Sequence, residues 1–190
     1  MPKIGAPAIR KSALIAATIR CVGEAGTLDV TVAQIAKLAG MSPALAHHYF
    51  GSKSQIFLAA MRHILTRFRD GVRAEVLSAR DDRARLDALI RASFGPESFG
   101  RNTVSAWLNF YTLAQVNPQA ARLLRVYHRR LQTNVTVLLR RLGADDPAEG
   151  AATIGALIDG VYIRAALSPG PTDATAAIRI VNDYLRKILP

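Results

Sequence analysis

Apolar residues along this 190-residue chain return mostly at spacings of three and four, and hardly anywhere in the strict alternation of a half-buried strand. The pattern predicts an all-α protein. Capping residues and glycines divide it into elements. A first helix is expected from about Ala8 to Ala25, where Ile9, Ala13, Ala16, Ala17 and the Ile19/Arg20 turn share a helical repeat, with Gly26 as a left-handed stop. The T-x-x-Q pattern of Thr31 and Gln34 is a capping box opening a second helix, which ends before Gly40. Ser42 caps a third, with Pro43 at the first helical position, where its missing N–H costs little. Another S-x-x-Q, at Ser52 and Gln55, opens a fourth that continues to about Ala79.

Longer helices follow over about 83–94 and 102–116, separated by the break FGPESFG. Asn117-Pro118 and Asp146-Pro147 open two more, and a last one runs from Thr172 to about Leu189. The change from short to long helices predicts two modules, a three-helix unit over 1–53 and a larger helical unit over 54–190, joined through the fourth helix.

Charge changes this picture. Lys and Arg number 25 against 14 Asp and Glu, a net of +11, so polyanions are the expected partners. Residues 1–69 hold nine of the basic side chains and only Glu24 and Asp29 of the acidic ones, which points the polyanion site to the N-terminal end. The single cysteine, Cys21, has no partner for an internal disulfide and no metal-ligand spacing around it, so it reads as a thiol on an apolar helix face. The start MPKIGAPAIRKS lacks the apolar run of a signal peptide. The most apolar window, AATIGALIDGVYIRAALS, is interrupted by Asp159 and Arg164 and is short for a bilayer span. A soluble, cytoplasmic protein with no membrane partner is expected.

Two short helices joined by AGMS have the spacing of a helix-turn-helix, whose second helix lies in the DNA major groove. On the third helix Ala46 and Phe50 share one side, suited to pack on Ile35 and Ala39 of the second. The other side is small at its start and carries polar rings further on. Pro43 and Ala44 permit close approach to bases and apolar contact with thymine, and His47 and His48 reach base edges or phosphates. Tyr49 offers its hydroxyl to a phosphate or packs in the core, and Lys53 offers a point charge. The adjacent histidines point about 100° apart with no carboxylate or cysteine near in sequence, so no metal is expected. Ser42 is accounted for by capping, and no nucleophile–base pair, metal set or phosphate loop marks an enzyme or calls for a cofactor.

The stretch TVAQIAKLAGMSPALAHHYFGSK resembles the DNA-binding signature of TetR-family regulators. The resemblance implies a helix-turn-helix domain followed by a larger ligand-binding and dimerisation domain. It implies that Thr31, Tyr49 and Lys53 touch phosphates of a double-stranded DNA operator while Pro43, Ala44, His47 and His48 face bases. Leu45 is expected on the thymine side, and Ser42 counts with these residues as a DNA-binding candidate. Homodimers are implied as well, and Ala152, Ala156 and Gly160, with Ala151 and Gly155, form a smooth strip suited to helix–helix approach. With Ile178, Val181, Leu185 and Ile188/Leu189 of the last helix, that strip predicts a four-helix interface about a two-fold axis, or else ordinary core.

In SAWLNFYTLA, Trp107 and Tyr111 are four apart and Phe110 lies three from Trp107, a ring patch that is either core or a pocket for a cationic ligand. Asp159 sits in an apolar run, where it either balances such a cation or bonds a backbone N–H or an arginine. MPKIG, AWLNFY, RRLQTNV and ALIDGVYIRAALS resemble the BetI-type subfamily, repressors of glycine betaine synthesis from choline. That resemblance implies choline as effector, choline uptake and oxidation genes as targets, and a pocket to which Trp107, Phe110, Tyr111, Asp159 and Tyr162 are the candidate contributors. A TetR-like regulator of another cationic or hydrophobic molecule, and a ligand-independent DNA-binding structural protein, are the alternatives.

Overall fold

The computed structural model describes residues 6–190 as ten helices, with no strand among the described residues. The segment MPKIG lies outside them. Helix α1 (Ala6–Ala25) ends at Gly26, whose φ of 66° carries the chain into the left-handed region. Its buried stripe is Leu14, Ala17, Thr18 and Val22, while Ile9 is 70% exposed. The helical repeat of Ile9, Ala13 and Ala16 is thus one face beside the buried one. Thr18 satisfies its buried hydroxyl by donating to the Leu14 carbonyl (2.7 Å).

Helix α2 (Val32–Leu38) opens with both halves of the capping box formed. Thr31 Oγ1 accepts from the Gln34 N–H (3.1 Å), and Gln34 Oε1 accepts from the Thr31 N–H (2.7 Å). Helix α3 (Pro43–Phe50) opens with Ser42 Oγ accepting from the Leu45 N–H (3.2 Å) and closes at Gly51, φ 77°. Each side-chain cap of this kind stabilises its helix by about 1 kcal/mol. Helix α4 (Lys53–Ser78) starts two residues later, so the long helix is a direct continuation of the helix-turn-helix.

Helices α5 (Asp82–Ser93), α6 (Pro96–Phe99), α7 (Arg101–Val116), α8 (Pro118–Arg141), α9 (Pro147–Leu167) and α10 (Ala174–Ile188) build the larger half. The break FGPESFG holds the four-residue α6, tied to α4 by the Arg67–Glu97 ion pair. Asp81, Asn117, Asp146 and Asp173 cap α5, α8, α9 and α10 through their side chains.

One apolar cluster joins α1–α4 to Ala106, Trp107 and Phe110 of α7 and Ala120 of α8. A second joins α5–α10 around Leu86, Ile90, Phe94, Val135, Ile154 and Leu185. Tyr127 and Tyr162 pack against both. Helix α1 lies along α7 so closely that a Cβ on Gly23 would stand 2.6 Å from the backbone of Asn102.

The last helix departs from expectation. Val181 and Leu185 are fully buried inside their own chain, and Ile178 and Ile188 pack against the same cluster, so this face of α10 is intrachain core and not an open interface. Periodicity marks the face as apolar, and α9 and α5 cover it. By length and composition alone α9 is long and apolar enough to cross a membrane. In the fold it packs against α7, α8 and α10, yet only Gly150, Ala151, Ile154 and Ile158 of it are buried.

Candidate functional site

Two places collect the chemistry. The first is the outer face of α3. Ala46 is fully buried and Phe50 packs beside it on the cluster holding Ile35 and Ala39, which fixes which side faces out. Ser42, Pro43, Ala44, His47 and His48 are exposed, and Leu45 is half-buried at their edge. His47 Nδ1 lies 3.2 Å from the Gly51 carbonyl, to which it donates. Tyr49 is half-buried on the core cluster, edge-to-face with His48 at 5.5 Å and with the Lys11 ammonium 6.0 Å from its ring centroid. The ring of Tyr49 thus packs on the core cluster, as one of its two readings has it. Thr31 is exposed at the start of α2, and the Lys53 stem covers Phe57, its ammonium 5.6 Å from that ring.

The second place lies where α7, α8 and α9 meet. The Tyr111 hydroxyl donates to Asp159 Oδ1 at 2.8 Å. His128 Nε2 lies 3.4 Å from Asp159 Oδ2, near enough for an ion pair when protonated, but it is buried without a hydrogen-bond partner among the described residues. Trp107 is edge-to-face with Tyr111 (5.6 Å) and with Tyr127 (5.4 Å), and Tyr111 stacks on His128 at 6.3 Å. Four rings and an imidazole-facing carboxylate thus share one locus.

Burial, followed by the Asp159 charge, raises the Tyr111 and Tyr127 phenols well above their ordinary value, so both remain neutral donors through the physiological range. Tyr111 spends its proton on the carboxylate.

Of the five side chains expected at a pocket, the fold brings Trp107, Tyr111 and Asp159 together. Phe110 is 1% exposed in the N-terminal cluster, three residues along α7 from Trp107. Tyr162 donates to the Ser93 carbonyl at 2.5 Å, with the Ser98 carbonyl 3.2 Å away, and packs against Phe94 and Phe99. Its hydroxyl pins the α5–α6 corner. Tyr127 and His128 were not expected. The signal existed: Ala120, Leu124, Tyr127, Leu131, Val135 and Leu138 form a three-four stripe through the arginine-rich α8, and Tyr127 lies on it.

A capped helix-turn-helix whose second helix is packed on one face and open on the other, set on a helical body, defines a DNA-binding regulator with an attached sensor domain. Residues 14–60 match the model of bacterial regulatory proteins of the tetR family, and residues 82–190 match that of the C-terminal domain of BetI-type transcriptional repressors. The HTH-type transcriptional regulators BetI of Rhizobium meliloti and Brucella melitensis biotype 2 are each 47% identical over 97% of this chain, covering 92% and 94% of their own lengths. Among solved structures, a transcriptional regulator from Saccharomonospora viridis in complex with choline superposes with a TM-score of 0.83 at 25% identity, covering 94% of this chain and 96% of its own. A regulator from Pseudomonas aeruginosa PAO1 gives 0.80 at 26%, covering 95% and 90%. The chain belongs to the TetR family and, within it, to the BetI-type transcriptional repressors; it is a transcriptional regulator and not an enzyme.

Proposed function

We propose that this repressor binds a double-stranded DNA operator as a cytoplasmic homodimer, controls choline uptake and choline-to-glycine betaine genes, and takes choline as its effector. The observation that carries the effector reading is Asp159, a carboxylate bonded by Tyr111 and faced by His128, with Trp107 and Tyr127 packed on those two rings. Choline bound to a structural relative supports the same reading. A quaternary ammonium has no N–H to donate, so it is recognised by ring faces and a nearby negative charge. In this reading it takes the place beside Asp159 that the weakly engaged His128 otherwise holds.

On the DNA side, Pro43, Ala44, His47 and His48 face bases, with Leu45 at the thymine edge, and Thr31, Tyr49 and Lys53 meet phosphates. Ser42 holds the first turn of α3 in shape. The dimer reading rests on α9: Ala152 and Ala156 are exposed, Gly155 and Gly160 face open space, and Ile163 and Leu167 are 40% and 72% exposed. Such a strip, uncovered on an apolar helix, supports a close helix–helix contact between two copies. The four-helix arrangement is thus supported through α9 and the outer side of α10, where Ile180 is 44% exposed, rather than through Val181 and Leu185. Choline changes operator binding by favouring one spacing of the two reading helices over another.

The test is a calorimetric titration of the full chain with choline beside its uncharged isostere 3,3-dimethylbutanol. Saturable binding of choline alone is expected. Equal binding of both, or of neither, removes choline as the effector while leaving the DNA-binding reading intact.

A further inference from the structure

Charge is divided along the length of α1. Its far end holds Arg20 and Glu24 as an i,i+4 pair at 3.6 Å, whereas its start holds Arg10 and Lys11 with no acidic residue in the first turn. Both are exposed, and neither enters an ion pair among the described residues. They stand four and three residues before Leu14, on the side of α1 that buries Leu14, Ala17, Thr18 and Val22. The stripe facing the core therefore turns from apolar to cationic as it runs past the core's edge. At that edge lies α3: the Lys11 ammonium is 6.0 Å from the ring centroid of Tyr49. Two neighbouring cations near the positive end of a helix oppose its dipole, and without a carboxylate beside them they gain nothing from pairing. Stability of the free chain does not call for them.

A cation held over an aromatic face keeps its charge, and the ring limits the positions its flexible stem takes. Lys11 is thus a point charge kept at the border of α3, on an element outside the helix-turn-helix, whose first cap is Thr31. We propose that Lys11 of α1 is a further contact to DNA phosphate, with Tyr49 as the positioning residue that holds it there. The proposal rests on the reading of α3 as the DNA-facing helix, and it adds α1 to the elements that grip the duplex backbone. Such a contact raises affinity for every sequence and carries no sequence information of its own.

The experiment reads the anisotropy of a fluorescein-labelled duplex of mixed sequence over a range of salt, with the full chain as wild type, Lys11→Gln, Lys11→Arg, Arg20→Gln and Lys53→Ala. Lys11 and Arg20 are exposed, so their variants keep the fold. A fourfold rise in salt is expected to weaken the wild type about 3.5 times more than Lys11→Gln, the signature of one lost ion contact. Lys11→Arg is expected to restore the wild-type slope. Arg20→Gln removes the same charge from the far end of α1 and is expected to leave the slope unchanged. In a Tyr49→Leu background, where the seat is gone, Lys11→Gln is expected to cost less affinity than in the wild type. If Lys53→Ala lowers the slope and Lys11→Gln does not, the proposal falls alone; if neither lowers it, the helix-turn-helix reading falls with it. Slopes lowered equally by Lys11→Gln and Arg20→Gln make the effect one of net charge and overturn the proposal, as does failure of Lys11→Arg to restore the slope. Equal costs of Lys11→Gln in the two backgrounds overturn the part given to Tyr49.

Discussion

Helices α3 and α7 each carry aromatic and polar rings at helical spacing, yet they use them in opposite ways. On α3, His47 and His48 face solvent over a small, fully buried Ala46. On α7, Trp107 is 5% exposed and Phe110 1% exposed, and Tyr111 spends its hydroxyl inside the fold on Asp159. A helix that reads a large polyanion must hold its rings out on a rigid support. One that senses a small molecule must enclose it. Removing a ring from α3 therefore tests recognition, whereas removing one from α7 tests recognition and stability together.

The largest expected effect follows from that difference. Trp107→Ala should cost about 3–5 kcal/mol of stability, since a large ring is lost from a closed cluster, while His47→Ala and His48→Ala should stay within about 0.5 kcal/mol. Denaturant melts of the three variants decide it; equal stabilities would erase the contrast between the helices. At ligand concentrations that still find Trp107→Ala folded, choline binding should fall more than operator binding.

Alkali gives the next effect. The phenols of Tyr111, Tyr127 and Tyr162 are all raised, by burial first, so the folded state keeps protons that the unfolded state releases. Stability is unaffected below the ordinary tyrosine range and falls as pH rises through about 10, by about 1.4 kcal/mol per pH unit for each phenol so held. Phenolate absorbance of these three rings should appear together with unfolding. Its appearance in the native state would show that the sensor half is more open than α7 indicates.

Asp159→Asn should weaken choline about tenfold or more while leaving operator binding by the ligand-free protein unchanged, as read by paired calorimetric and DNA titrations. Ser42→Ala should cost about 1 kcal/mol through the lost cap on α3. Lys53→Ala is the mildest, weakening binding to all duplexes and lowering the slope of log affinity against log salt by about one contact, without a change in sequence preference. A change in preference with an intact slope would move Lys53 from the phosphates to the bases.

Helix order was legible because its signals are local. Thr31 with Gln34, Ser42 with Pro43, and Asn117 with Pro118 each act within one turn, and each cap forms as read. The faces were less so. Val181 and Leu185 have the spacing of an apolar stripe, but a stripe does not say whether its own chain or a second copy covers it. Spacing likewise does not tell that Tyr162 bonds the Ser93 carbonyl or that Phe110 is closed in the N-terminal cluster. Tyr127 and His128 went unread because their neighbours Arg125, Arg129 and Arg130 make the segment look like a solvated helix, and only the longer stripe through α8 reveals which side turns inward. The outer face of α3 was easier, since Ala46 and Phe50 locate the packed side from eight residues.

The absence of any room at Gly23 has a mechanical consequence. With a methyl group's place already taken by the Asn102 backbone, only glycine lets α1 lie this close to α7. Asn102 sits one turn and a half before Trp107 and more than two before Tyr111 on a helix with a rise of about 1.5 Å per residue. Any side chain at position 23 would move α1 off the helix that carries Trp107 and Tyr111.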